Sequence, residues 1–388
     1  MLSYLKNNHK NVAIYLFFTL VFTAIFLYIS YFCTSDIDEH ARFAILQSKG
    51  EIFIGNFILY GLAGILTLFS NNFRFVTVAI CLIIGSAVAF KICVAKSQID
   101  KIYYNVKQKY RYKSMLFALS MVFVFAIPIP ILFTDGFFYR GTFAPNVWNN
   151  STTILLAPFA ILLFYRSYEQ IQKYSMKNNI IIIVLVILNI FIKPNFFFVF
   201  ITVYSIFLFA KYNFKKEFFY SILPSIIGLG CIIIQYILIF KTNNAVFKEP
   251  SGVALSNPAQ LIELFPMYKL APINVLFSLL FPLFYVVLNL KKMKRSLLFW
   301  YTFISFIVSI LFFIFFIETG PRMLDGNFYW QIVICAWLCF FTALIALLKD
   351  IKQLGFTKQN KFLSIIYALH IIFGLVYLSR YLLTGIYY

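Results

Sequence analysis

Three carboxylates, an imidazole and a guanidinium fall within seven residues, at Asp36, Asp38, Glu39, His40 and Arg42. If the segment is helical, Asp38 and Arg42 share a face at i,i+4, as do Asp36 and His40. A carboxylate crowded by another near a bilayer tends to have its pKa raised and can serve as a general base. Asp36, Asp38 and Glu39 are therefore candidate catalytic groups, and His40 and Arg42 candidate phosphate ligands. A solvated loop start with local ion pairs is the other reading, and spacing alone does not choose between them.

Three further clusters carry polar chemistry on an otherwise apolar chain. The first runs from Arg140, a candidate phosphate ligand, through Pro145-Asn146-Val147-Trp148-Asn149-Asn150. Amides around one indole suit sugar hydroxyls held against an aromatic face, so Asn146, Trp148, Asn149 and Asn150 are candidate sugar ligands; an aromatic belt at the membrane surface is the rival. The second is Lys193, beside Pro194 within a long apolar stretch. An intramembrane cation is expensive and is a functional hypothesis by default; it suits a phosphate or diphosphate head group, whereas snorkelling to the lipid surface is the alternative. The third is Glu318-Thr-Gly-Pro-Arg322-Met-Leu-Asp325-Gly-Asn327. There Arg322 can clamp phosphate bidentately, and Glu318, Asp325 and Asn327 can orient a sugar; a tight turn with a local salt bridge is the competing account. Neither the six cysteines nor the three histidines have the spacing of a zinc or iron–sulfur centre. No cofactor is required, although a divalent cation could assist the carboxylates.

The elements that must hold these groups follow from composition. The 388 residues are 62% hydrophobic, 21% aromatic and 12% charged, which excludes an ordinary soluble domain. A spanning helix needs about 20 apolar residues. Spans are expected near 12–33, 75–95, 114–133, 151–165, 179–192, 195–210, 218–240, 272–290, 297–317, 328–348 and 363–384, as one all-α integral membrane domain covering 1–388. Outer loops are expected at 34–74, 134–150, 241–271 and 318–327, with a basic cytoplasmic segment at 96–113. Its interleaved tyrosines and lysines suit anionic lipid rather than nucleic acid.

The net charge of +20 is read as topology, because cytoplasmic loops collect Lys and Arg. If the apolar stretch Phe53–Ser70 is a membrane-embedded or interfacial hairpin rather than a crossing, 23 of the 33 basic residues lie inside with an internal N-terminus. An external N-terminus with twelve spans gives the same count, and charge does not separate the two. The arms on either side of Lys193 each have about 14 residues, roughly 21 Å of helix. That falls short of the ~30 Å hydrocarbon core and puts Lys193 below the outer surface.

An N-terminal span, an acidic first outer loop at Asp36–Arg42, a hairpin-like stretch and then a span ending in a basic segment resemble GT-C type glycosyltransferases. The Pro145–Asn150 region, the Lys193-Pro194 break and the Glu318–Asn327 segment are similar to members from bacterial surface-polysaccharide clusters. The resemblance implies a polyprenyl-phosphate-linked sugar donor, a glycan or lipid-linked acceptor and an outward-facing site in the bacterial inner membrane. It also implies that Asp36 or Asp38 is the catalytic carboxylate, and it favours the internal N-terminus. A polymerase joining undecaprenyl-diphosphate-linked repeat units fits the same features. A flippase or secondary transporter is the rival of another class, expected to carry charges near the midplane of several spans.

Overall fold

A computed structural model describes residues 9–101, 111–128, 142–240 and 252–387. With no water in a bilayer core, backbone groups must bond within the segment, and helices satisfy them. Among the described residues eight helices are long and apolar enough to cross: Val12–Phe32, Phe73–Ile99, Ser151–Gln172, Asn195–Tyr212, Lys216–Leu238, Leu297–Phe315, Met323–Leu354 and Lys358–Thr384. A ninth is a pair bent by 60°, Pro266–Ser278 with Leu280–Leu288, and Tyr112–Phe123 and Met176–Ile192 are shorter apolar helices. The chain is thus an all-α, multi-pass membrane protein. Its sheet among the described residues is a two-stranded antiparallel ribbon, β1 (Gly252–Leu255) on β2 (Phe316–Thr319), with Gly252 opposite Thr319.

In chain order the helices that frame the argument are α1 (His9–Phe32), α2 (Ile37–Ser48), α3 (Ile58–Leu66), α4 (Phe73–Ile99), α5 (Arg111–Phe123), α6 (Ser151–Gln172), α7 (Met176–Ile192), α8 (Asn195–Tyr212), α9 (Lys216–Ser221) and α10 (Leu223–Phe240). After them come α11 (Pro258–Leu264), α12 (Ala271–Ser278), α13 (Leu280–Leu288), α14 (Leu290–Met293), α15 (Leu297–Phe315), α16 (Trp330–Leu354) and α17 (Lys358–Thr384). Within the Phe53–Ser70 stretch only α3 is helical. Its 9 residues make about 14 Å of helix, too short to cross.

Helices α1 and α4 pack as antiparallel neighbours. Small residues at four-residue spacing, Cys81, Gly85 and Ala89, let the backbones approach: a Cβ at Gly85 would lie 2.7 Å from the Thr23 nitrogen. At the far end of α1, Thr34 donates its N–H to the Gly385 carbonyl (2.8 Å) and Tyr381 donates its hydroxyl to the Thr34 carbonyl (2.6 Å). The end of the first helix and the end of the last thus lie together. The opposite end of the bundle is basic, and ion pairs stud it: Lys101 and Arg166 with Glu169, and Lys292 with Asp350, which also accepts from Tyr285 at 2.6 Å.

The interior holds two non-helical segments, which corrects two expectations. A helical span over 114–133 is not formed; α5 stops at Phe123 and the chain runs extended from Val124 to Pro128. Pro128 and Pro130 supply no amide donor and bias the residues before them away from helix. The loop expected at the outer surface over 134–150 instead turns inward over its described part, with Thr142–Asn146 and Trp148 buried.

Each extended piece finds internal partners, as irregular backbone at that depth requires. His370 donates from Nδ1 to the Phe125 carbonyl (2.6 Å) and accepts at Nε2 from the Phe281 amide (3.3 Å), one donor and one acceptor as in a neutral imidazole. The Phe281 amide lies just past the bend between α12 and α13. The Ile127 amide reaches the Phe277 carbonyl, and the Phe143 amide reaches Ser278 Oγ at 2.9 Å. The broken helix and the extended segments thus satisfy one another.

Candidate functional site

The site is built on the N-terminus of α6. Asn150 caps that helix, its Oδ1 accepting from the Thr153 amide at 3.0 Å. The first-turn amides that a helix leaves unpaired attract anions. One of them, Ser151 N–H, is taken by Asp36, whose carboxylate also accepts from Ser151 Oγ at 2.6 Å. Asp36 meets His40 Nε2 at 3.2 Å across one turn of α2, and His40 Nδ1 meets the Tyr60 hydroxyl at 2.8 Å. Burial alone pushes the Asp36 carboxyl up, but the electrostatic effect of His40 and the bonds from His40 and Ser151 outweigh it and hold the group below the usual carboxylate range.

A pH prediction follows. A depressed pKa contributes stability that is present above the unfolded value and is lost as pH falls through the folded one. The Asp36–Ser151 clamp should hold at neutral pH and release only below the ordinary carboxylate range. Hydrogen exchange checks it: the Ser151 amide should keep its protection down to about pH 4 and lose it below.

Lys193 reaches the same helix end. It lies between α7 and α8 in an extended conformation, is 5% exposed, and donates to Asn150 Oδ1 at 3.0 Å and Thr152 Oγ1 at 3.1 Å. Its ammonium stands 5.0 Å from the Trp330 ring centre, within cation–π range. The arms flanking it have 17 and 18 residues, about 26 and 27 Å, longer than the apolar stretches suggested. The reason lies at the far end. Ser175 caps α7 there, Asn178 donates to the Arg166 carbonyl, and Asn179 donates to the Tyr220 carbonyl, so polar residues extend the helix beyond its apolar run. Lys193 is therefore shallower than 14-residue arms imply.

The fourth cluster joins through Asn195, which donates to the Asn327 carbonyl and to Gln331 Oε1, while Asn327 donates to Glu318. Asp36, His40, Asn150, Lys193, Asn327 and Glu318, widely separated in sequence, thus form one connected polar surface. Asp38, half-buried on α2, has its carboxyl pushed up by burial against the opposing effect of Arg42. Glu39 and Arg42 are exposed, with the Arg42 guanidinium 6.0 Å from the Phe73 ring centre. The Asn149 carbonyl accepts from the Asp36 amide at 3.3 Å. Asp325 is exposed on the turn after β2. Arg140 and the side chain of Arg322 lie outside the described residues.

Two candidates are placed elsewhere. Trp148 is 3% exposed, its ring between Phe22, Phe26 and Phe123 at centroid distances of 6.1–6.3 Å. Asn146 is 5% exposed and bonded to Lys91 Nζ at 2.7 Å and to the Met121 and Val124 carbonyls. Both sit in the bundle interior, away from the loop surface that a sugar ligand requires. Lys91, within the expected span 75–95, is buried with them.

Ser151, Thr152, Tyr60, Trp330 and Asn195 were missing from the candidates. An Asn-Ser-Thr-Thr run opening an apolar helix is a legible cap signal and points to Ser151 and Thr152; Tyr60 and Trp330 carry no such mark. Among the described residues no three His, Cys, Asp or Glu side chains group closely enough to hold a metal ion. Compared with known protein families and with curated proteins, the chain matches none.

Proposed function

We propose that this protein is a glycosyltransferase of the bacterial inner membrane. It takes sugar from a polyprenyl-phosphate-linked donor at the outer face, in the assembly of a cell-surface polysaccharide. The observation that carries this reading is the meeting of a buried cation, Lys193, and a carboxylate–imidazole pair, Asp36–His40, at one helix N-terminus. Eleven crossings with the N-terminus inside put that corner outside and the basic end of the bundle in the cytoplasm, as the positive-inside rule favours. Lys193 and Arg322 hold the donor phosphate. Asp38 takes the proton from the acceptor hydroxyl, whose oxygen attacks the anomeric carbon while the bond from that carbon to the phosphate oxygen breaks and polyprenyl phosphate leaves.

Asp36 is the positioning residue in this scheme and Asp38 the base. Both Asp36 oxygens are engaged by Ser151 or His40 and its carboxyl is held acidic, whereas burial raises Asp38 towards a useful basicity. The test is transfer of labelled sugar from polyprenyl-linked donors to acceptor glycan by the purified protein. Asp38→Asn should lower kcat by about 100-fold or more with an unchanged Tm, and Asp36→Asn should lower Tm as well. Full transfer by a well-folded Asp38→Asn variant would remove Asp38 from the chemistry. A polymerase joining diphosphate-linked repeat units uses the same groups.

One observation favours a second reading, a transporter of lipid-linked sugar: Lys91 is a cation in the bundle interior rather than at either end. Movement of donor across vesicles without sugar transfer would select it.

A further inference from the structure

Lys91 is the most unusual of the buried lysines, Lys91, Lys96 and Lys193. It sits in the interior of α4, 9% exposed, and its ammonium has one hydrogen-bond acceptor, Asn146 Oδ1 at 2.7 Å, with the Trp337 ring centre 5.1 Å away. Among the described residues no carboxylate pairs with it. A charge removed from water without a counter-charge is costly, and buried charges are ordinarily paired.

Beside the ammonium is a cavity of about 30 Å³, lined by Lys91, Asn146, Trp148, Thr153, Ile154 and Val333 among others. That is room for one or two water-sized species. Thr153 is 1% exposed, and its hydroxyl has no hydrogen-bond partner among the described residues. Thr153 also belongs to the first turn of the 22-residue α6, so the positive end of that helix dipole faces the same space. An ammonium, an unpaired hydroxyl and a helix N-terminus around one small void make a site for an anion. Room for one or two water-sized species suits a monatomic anion.

We infer that this cavity binds a monovalent, halide-sized anion, held by Lys91 Nζ and Thr153 Oγ1 and serving as the counter-charge of Lys91. The two amide donors of Asn146 are already committed to the Met121 and Val124 carbonyls; its role is to aim the lysine. The site shares the start of α6 with the Asp36–Lys193 corner but uses different side chains, and it does not depend on the function proposed for that corner.

The experiment follows thermal unfolding of the purified full chain in lipid nanodiscs by tryptophan fluorescence. Sodium gluconate is compared with sodium chloride and sodium bromide at equal ionic strength. A ligand at a hundredfold excess over its dissociation constant, binding only the folded state, should raise Tm by about 3 °C in a chain of this size. The rise should appear with both halides in the wild type and vanish in Lys91→Met, where an apolar side chain of similar length removes the charge. Thr153→Val, which deletes the hydroxyl while keeping the shape, should need several-fold more halide for the same rise and keeps the test alive if Lys91→Met fails to fold. Equal Tm in gluconate and halide for the wild type, or an undiminished rise in either variant, would overturn the proposal.

Discussion

Lys193→Met should lower sugar transfer by about 100-fold or more while the fold survives. The methionine fills nearly the same volume and leaves the Trp330 contact apolar rather than empty. Asn150 keeps its capping bond to the Thr153 amide at 3.0 Å, so α6 retains its start. What disappears is the one described cation that Asn150 and Thr152 aim at the helix N-terminus. Removing a positioned electrostatic group from a dry site usually costs 10²–10³ in kcat, and 100-fold is about 2.7 kcal/mol of barrier. Lys193→Arg should recover only part of the rate, because the planar guanidinium does not reproduce a point charge held by two oxygens. Measuring kcat and KM separately distinguishes this from a loosened fold, which would also lower Tm.

Gly374→Ala should be the most destabilising glycine-to-alanine change among the described glycines. Gly374 lies on the face of α17 that meets the end of α5, and a Cβ there would stand 1.5 Å from the Phe123 carbonyl oxygen and 2.7 Å from its carbon. The obstacle is backbone and cannot rotate aside. Moving it disturbs the adjacent Phe125 bonds to His370, and with them the partner of the Phe281 amide at the α12–α13 bend. Overpacking of a well-filled core costs about 1–3 kcal/mol and more where backbone must shift, so Tm should fall by several degrees and expression with it. Gly230→Ala is the matched control: nothing lies within 4 Å of its added methyl, and a helical alanine there should leave Tm unchanged or raise it by an amount worth about 0.4–1 kcal/mol. Equal effects at the two positions would show that the approach of α17 to Phe123 is not tight.

The helical, membrane-spanning nature of the chain was legible because a bilayer leaves so few options, and length and hydropathy alone find most of the helices. Charge counting leaves open whether Phe53–Ser70 crosses, and that its helix, α3, has only nine residues is a matter of local packing that charge does not report. Three of the four polar clusters could be named from residue types, because Asp36, Lys193 and Glu318 stand out against apolar surroundings. Their meeting at Ser151 could not be, since it depends on which helix ends adjoin. Trp148 and Asn146 misled for a physical reason: hydropathy treats a polar, proline-bearing stretch as surface, whereas here carbonyls of Met121 and Val124 and the ammonium of Lys91 satisfy it inside the bundle. Lys91 falls within the expected span 75–95 yet counts among the inside charges, as charge counting has no category for a cation bonded in the interior.

The central claim is that Lys193, held at the start of α6, recognises a lipid phosphate. Trp330 stands against its ammonium at 5.0 Å and offers a direct signal. Titrating the purified protein with a water-soluble, short-chain prenyl monophosphate should change tryptophan fluorescence saturably, and the corresponding prenyl alcohol should not. The Lys193→Met variant should bind at least about tenfold more weakly, some 1.4 kcal/mol. Phosphate binding of equal affinity in wild type and variant, or no saturable signal from the wild type, would contradict the account.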